Sequence, residues 1–81
     1  MSNGLPITAS YTFNSMGYTP IEAFYDFVKT TAQGCYLYEN AYLSSSTVTE
    51  MDAGLRQQLI MSWNFLNKEA ETFYVLKWFD Q

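Results

Sequence analysis

The residue types that most often carry chemistry in proteins are scarce in this chain. The sequence has no histidine and a single cysteine, Cys35. Histidine is the side chain most often used as an acid, a base or a metal ligand near neutral pH, so histidine-dependent catalysis is excluded and no transition-metal site is expected. Cys35 has Gly34 and Tyr36 as neighbours and no adjacent positive charge to activate a thiolate, so we expect a small core residue.

Serine and carboxylate groups are the remaining candidates for catalysis. A run of three serines near the middle of the chain has no neighbour that would activate a hydroxyl group. The carboxylate pairs Glu50/Asp52 and Glu69/Glu71 stand in no recognisable catalytic arrangement. Glu50 and Asp52 are explained by an expected helix start, where acidic side chains complement the helix dipole. The sequence therefore predicts a protein that is not an enzyme and has no cofactor.

The charge balance favours a protein partner over nucleic acid. Four basic residues stand against eight acidic ones, which gives a net charge of -4. Nucleic-acid binders gain much of their affinity from clustered lysine and arginine, and here Lys29, Arg56, Lys68 and Lys77 are widely separated. We expect no direct binding to nucleic acid or to an anionic membrane, whereas a protein with a basic surface would fit.

Length and cysteine content predict one domain in a reducing compartment. A chain of 81 residues has room for one hydrophobic core, and its composition, 48% hydrophobic and 19% aromatic, suits a dense one. One cysteine cannot form an intramolecular disulfide, the N-terminus lacks the pattern of a signal peptide, and no apolar run approaches the length of a membrane span. We therefore expect a cytoplasmic protein.

The first half of the chain carries the clearest structural signals. Residues 5–13 alternate between apolar and polar side chains and predict a half-buried strand. Thr19 then provides an N-cap, Pro20 suits the first helical position, and Glu22 closes a capping box. The helix that begins there has an apolar stripe and is expected to end near Gly34. The stripe consists of Ile21, Phe24, Tyr25 and Val28.

The remaining residues predict a strand, a helix and a strand. Residues 35–43 alternate and indicate a strand, with a helix as the alternative because several of them have no strong β preference. A second helix is expected from Thr47 or Thr49 to about Lys68, apolar around much of its circumference. Residues 71–79 are rich in aromatic and β-favouring side chains and predict a central strand.

These elements together predict an α+β fold. The order β-α-β-α-β indicates a small three-stranded sheet with two helices packed on one face. An all-helical protein is the runner-up. In the α+β arrangement the face opposite the helices would carry an aromatic layer made of Tyr36, Tyr38, Tyr42, Tyr74 and Trp78.

The aromatic layer is the predicted functional surface. Tyrosine and tryptophan are favoured at protein interfaces, and the lack of a basic groove weighs against the stacking of nucleic-acid bases. We therefore expect a protein-binding domain, a small acidic inhibitor or regulator of a larger host protein such as phages and mobile elements encode. The alternative is a structural subunit of a homo-oligomeric or virion assembly, with a homodimer as the simplest case. Its interface would be Ile60, Met61 and Phe65.

Overall fold

A computed structural model describes residues 6–79 of the chain. Within them lie three antiparallel strands and three α-helices, which confirms the α+β class and the three-stranded sheet, although the element order is β-α-α-β-β-α. The elements are β1 (Ile7–Asn14), α1 (Pro20–Thr30), α2 (Ala32–Asn40), β2 (Ala41–Met51), β3 (Arg56–Phe65) and α3 (Lys68–Tyr74). A 3₁₀ turn (Asp52–Gly54) follows β2, and a π-helical segment (Val75–Phe79) continues α3.

The sheet has the order β1-β3-β2, so β3 is central and the other two strands lie at the edges. Trp63 on β3 is opposite Ile7 on one side and Leu43 on the other. The pairing of β2 shifts between Leu43 and Ser45, which leaves Ser44 as the extra residue of a β-bulge. From Ser45 onwards the register is regular to the end of the strand.

The two faces of the sheet differ in chemistry because side chains alternate along each strand. The outer face of β1 carries Thr8, Ser10 and Thr12, which are exposed. The inner face is covered in part by the helices and forms the core together with them. The core side chains are Ile7, Ala9, Phe13, Ala23, Phe27, Val28, Leu37, Ala41, Leu59, Met61, Trp63 and Tyr74.

The start of α1 is as predicted, but its end is not. The Glu22 N–H donates to Thr19 Oγ1 at 3.2 Å and the Thr19 N–H donates to Glu22 Oε1 at 2.9 Å, which completes the capping box. The helix ends at Thr30 because Thr31 is extended, with φ −110° and ψ 145°. Gly34 lies inside the following helix, so it does not act as the expected terminator.

Residues 35–40 are helical, and the predicted strand there is wrong for them. The Gly34 N–H donates to Thr31 Oγ1 at 2.9 Å, so the same threonine that ends α1 caps the start of α2. Leu37 is then buried against the core. Chain direction changes at Ala41, where β2 begins, and only residues 41–43 of the predicted segment are in a strand.

The predicted second helix is wrong, because residues 47–65 belong to a β-hairpin. Thr47, Val48 and Thr49 are β-branched and favour extended backbone, and the 3₁₀ turn that follows reverses the chain. Leu59 and Trp63 are four residues apart, a spacing that fits a helix face and equally one face of a strand. The central position of β3 selects the strand, because it buries both side chains on one face.

Residues 71–79 are helical, which corrects the predicted final strand. Asn67 provides the N-cap, since its Oδ1 accepts a hydrogen bond from the Ala70 N–H at 2.8 Å. Glu69 and Glu71 lie in the first turn, where their charge complements the helix dipole. The helix points Tyr74 into the core, so the apolar character of the segment reflects packing against α2 and β3.

The hairpin turn contains a strained alanine. Asp52 and Ala53 have positive φ angles of 53° and 58°, and Gly54 follows with φ 91°. Left-handed backbone costs a residue with a Cβ atom about 1 kcal/mol, whereas glycine adopts it freely. We expect Ala53→Gly to raise the free energy of unfolding by about 0.5 kcal/mol and Gly54→Ala to lower it by about 1 kcal/mol, as measured by urea denaturation. Equal effects of the two substitutions would contradict this account.

Candidate functional site

Three of the five predicted interface aromatics pack together inside the protein. The ring centroids of Tyr36 and Trp78 are 5.5 Å apart, and those of Tyr74 and Trp78 are 5.0 Å apart. Tyr74 is fully buried, and Tyr36 donates from its hydroxyl to the Ala70 carbonyl oxygen at 2.8 Å. These rings join α2 to α3 and to the π-helical segment. They are therefore part of the packed interior and its margin.

The other two predicted aromatics are exposed but lie on different elements. Tyr38 is on α2, whereas Tyr42 is on the outer face of β2, opposite Asn64. The prediction of a single aromatic layer requires that residues 35–43 and 71–79 form strands of one sheet. Because most of those residues are helical, the proposed single aromatic sheet face does not exist.

The three predicted oligomer-interface residues also separate. Ile60, Met61 and Phe65 lie on β3, the central strand. Met61 is fully buried on the inner face, and Phe65 packs on the ring of Tyr74 at 5.4 Å between centroids. Ile60 is half-buried and belongs to the opposite, outer face. These three side chains form no common surface.

Cys35 and the acidic side chains are the described residues that bear on thiol chemistry and metal binding. Cys35 is exposed on α2, which corrects the expectation that it belongs to the core. Residues 6–79 contain no group of three acidic or cysteine side chains that could hold a metal ion. Among the helices described, none is long and apolar enough to cross a membrane.

The most distinctive feature of the surface is an apolar groove between α1 and the inner face of β2 and β3. Its volume is about 390 Å³, and it opens to solvent along β2. We refer to it as the α1–β2 groove. Its lining is Pro20, Ile21, Phe24, Tyr25, Leu43, Ser46, Val48 and Leu59.

The groove exists because α1 packs over β1 and β3 and leaves β2 uncovered. Tyr11 on β1 donates a hydrogen bond to the Asp26 carboxylate, and its ring lies 5.6 Å from that of Phe27. Phe24 stacks on Trp63 of the central strand, with ring centroids 6.1 Å apart and planes at 17°. These contacts hold the helix over β1 and β3, so the inner face of β2 remains uncovered.

The apolar stripe of α1 shows how much of the groove is exposed. Sequence reasoning placed Ile21, Phe24, Tyr25 and Val28 on one buried face, but only Val28 is buried. Ile21 is 69% exposed and Tyr25 is 51% exposed. The signal for the groove was therefore present in the sequence, as an apolar stripe longer than this small core can cover. The stripe alone does not predict a groove, because the other wall is β2, a strand that the sequence pattern does not predict as such.

The charges beside the groove are mainly acidic. Glu22 follows Ile21 on α1, and Glu50 shares the inner face of β2 with Val48. Lys29 is the basic residue nearby, with its Nζ 5.5 Å from the centroid of the Tyr25 ring. Among the described residues, no lysine or arginine lines the groove. The local charge thus has the same sign as the net charge of the protein.

The free edge of β2 borders the groove. Among the described residues β2 pairs only with β3, so the backbone groups on its other edge have no strand partner. Every side chain from Tyr42 to Glu50 is exposed. The strand contains no proline, lysine or arginine, which are the residues that commonly protect a sheet edge from further pairing. The features of this edge that oppose pairing are the bulge at Ser44 and the charge of Glu50, and the backbone between them is free.

Comparison with known proteins adds no assignment to this geometry. The chain matches no protein-family model, no curated protein and no solved structure at a significant level. The α1–β2 groove and the free edge of β2 are therefore the two candidate binding surfaces.

Alkaline pH is expected to destabilise the protein through three tyrosines. The hydrogen bond to Asp26, followed by burial, raises the pKa of Tyr11, and burial raises the pKa of Tyr36 and Tyr74. Above pH 10, the ordinary tyrosine pKa, the unfolded chain loses these protons first, so the free energy of unfolding falls as pH rises towards the folded-state values. Urea denaturation at a series of alkaline pH values measures this.

The matched variant for the alkaline effect is Tyr11→Phe. It should reduce the pH dependence above pH 10 while the other two tyrosines retain theirs. A free energy of unfolding that stays constant as the pH rises above 10 would contradict the prediction.

Proposed function

We propose that this protein is a non-enzymatic, protein-binding domain that uses the α1–β2 groove as its contact surface. Its action is stoichiometric: it regulates or inhibits a larger protein by occupying part of that protein's surface. The observation that carries the proposal is the open apolar groove of about 390 Å³, next to side chains that the core leaves exposed.

The shape and composition of the groove suit a protein segment. Ile21 and Tyr25 stand on one wall with more than half of their surface exposed, and Leu43 and Val48 contribute to the floor. Burial of such side chains against a partner is favourable by about 25 cal/mol per Å² of apolar surface removed from water. Tyrosine on a rigid helix is also a frequent source of binding energy, because little conformational freedom is lost.

The charge of the protein indicates which segments fit. Glu22 follows the lining residue Ile21 on α1, Glu50 shares a face of β2 with the lining residue Val48, and the chain carries a net charge of -4. A partner segment with apolar residues flanked by lysine or arginine would complement both the groove and its rim, and charge attraction would speed association. The proposed partner is therefore a protein with an apolar patch inside a basic surface.

Affinity capture from the source cell's lysate tests the proposal by comparing the wild-type protein with a variant of the groove. Tagged wild-type protein should retain a stoichiometric partner, and Ile21→Ser should lose it with a drop in affinity of about 2 kcal/mol, typical of an interface hot spot. Ile21 is 69% exposed, so its replacement should leave the melting temperature nearly unchanged.

Leu66→Ser is the matched control for Ile21→Ser. Leu66 is 63% exposed and lies between β3 and α3, outside the groove. It loses the same kind of apolar side chain at a similar exposure, and it should still capture the partner. Capture that is equally strong in both variants, or equally lost in both, would reject the groove as the contact surface.

A second candidate function is that of a structural subunit in a homo-oligomeric assembly. The observation that favours it is the edge position of β2, where no strand among the described residues pairs with its free side. In this case copies of the chain, and no foreign protein, would be recovered by affinity capture.

A further inference from the structure

We infer that the protein forms a two-fold symmetric dimer in which the β2 strands of two copies pair antiparallel, so that two sheets join into one of six strands. The inference is independent of any foreign partner. It comes from the free edge, the register of its residues and the apolar side chains beside it.

The sheet has two edge strands, β1 and β2, and pairing at β2 would bury more apolar surface than pairing at β1. Along β1 the inward side chains Ile7, Ala9 and Phe13 are already buried under the helices, so pairing there would remove little further apolar surface from water. Along β2 the inward side chains Leu43 and Val48 are exposed. Pairing at β2 therefore satisfies free backbone groups and covers apolar surface in the same step.

The β2 strand is complementary to the β2 strand of a second copy in one antiparallel register. A two-fold axis perpendicular to the sheet, at Val48, places the two Val48 side chains opposite each other on the inner face. The same axis places Thr47 opposite Thr49 of the other copy on the outer face, and Ser46 opposite Glu50 on the inner face. In these pairs apolar side chains face apolar ones, polar side chains face polar ones, and no two like charges are directly opposite; only at the ends does Ser45 face Met51.

The pairing segment also has natural limits. With Val48 at the centre, the paired residues extend from Ser45 to Met51, which is the stretch with regular register between the bulge and the end of the strand. At about 3.3 Å per residue this segment is roughly 23 Å long. A centre at Thr47 would set Val48 against Ser46, and a centre at Thr49 would set Val48 against Glu50, so only the centre at Val48 pairs the valine side chains with each other.

Dimerisation would also change the groove. Both copies present their helices on the same side of the joined sheet, because the axis is perpendicular to it. The two α1–β2 grooves then become one trough with a continuous floor, in which Leu43 and Val48 of both copies lie between walls formed by Ile21 and Tyr25 of each helix. A small domain with a thin core gains stability from such shared burial.

Light scattering tests whether the protein is a dimer and whether Val48 lies at its interface. Light scattering over a roughly hundredfold range of concentration should give twice the chain mass of 9.4 kDa for the wild type at the upper end. Val48→Lys sets two positive charges opposite each other at the axis and should raise the dissociation constant at least about a hundredfold. The control, Thr12→Lys, adds the same charge to the exposed face of β1 and should stay dimeric.

Disulfide trapping tests the register in a Cys35→Ser background, which removes the exposed native thiol. Val48→Cys should oxidise to a covalent dimer, since directly opposite residues of antiparallel strands lie within disulfide reach. Thr49→Cys should remain reduced, because it is opposite Thr47 and not its own copy. A monomeric wild type, a dimer that survives Val48→Lys, or crosslinking at position 49 in preference to 48 would overturn the inference. A monomer that still captures a partner through Ile21 would leave the proposed function standing.

Discussion

Gly34→Ala is expected to lower the free energy of unfolding by about 3 kcal/mol or more, enough to unfold much of a domain this small. A Cβ atom at this position would lie 2.1 Å from the Phe27 carbonyl oxygen and 2.6 Å from the Phe27 carbonyl carbon. Both are backbone atoms of α1, so the clash can be relieved only by moving one helix away from the other. Thermal and urea denaturation measure the loss.

The expected effect has its cause in the junction between α1 and α2. Thr31 accepts a hydrogen bond from the Gly34 N–H at 2.9 Å and donates one to the Phe27 carbonyl oxygen at 2.7 Å. One residue thus ends the first helix and starts the second, and the close approach that this requires leaves no space for a side chain at position 34. Movement of the helices would also break the packing of Phe27 in the core.

Gly17→Ala is the control for Gly34→Ala. A Cβ atom there would meet only the Asn14 carbonyl oxygen, at 4.0 Å. The same chemical change in the turn after β1 should therefore alter stability by less than about 0.5 kcal/mol. If the two substitutions had similar effects, close packing at the helix junction would not be the cause.

Trp63→Ala is expected to cost about 3–5 kcal/mol of folding free energy, the range for removal of a large buried aromatic side chain. Trp63 is fully buried on the central strand β3, where it stacks on Phe24 and lies between Ile7 and Leu43 of the neighbouring strands. Its removal would open a cavity beneath α1 and detach the helix wall of the groove. Urea denaturation gives the loss of stability.

Trp63→Phe separates packing from hydrogen bonding at the same position. The indole Nε1 of Trp63 is buried and has no hydrogen-bond partner among the described residues. A buried unpaired donor costs about 1–3 kcal/mol, and phenylalanine removes it while keeping a ring on Phe24. We expect Trp63→Phe to cost less than about 1.5 kcal/mol. A loss as large as that of the alanine variant would show that the indole nitrogen is not a source of instability.

The proposed function and the proposed dimer can be tested separately because Ile21 lines the groove but takes no part in the β2 pairing. Ile21→Ser should lose capture of the partner and keep the dimeric mass. Val48 lines the groove and also stands at the proposed axis, so Val48→Lys tests the dimer by its mass and not by capture.

Local sequence signals determined the elements whose ends depend on a few neighbouring residues. The alternation before Phe13 specified β1, and Thr19, Pro20 and Glu22 specified the start of α1 through hydrogen bonds within one helical turn. The lack of histidine excludes histidine-dependent catalysis whatever the fold, because it is a property of the composition alone.

Only the tertiary structure decided the second half of the chain. The apolar residues between Leu59 and Phe65 fit a helix face and a strand face, and pairing with β1 and β2 on both sides selects the strand. The aromatic residues after Glu71 favour strands in isolation, yet the Asn67 cap and the packing of Tyr74 against Tyr36 select a helix. The groove and the free edge of β2 follow from which sheet face α1 covers, a choice made by contacts between residues far apart in the sequence.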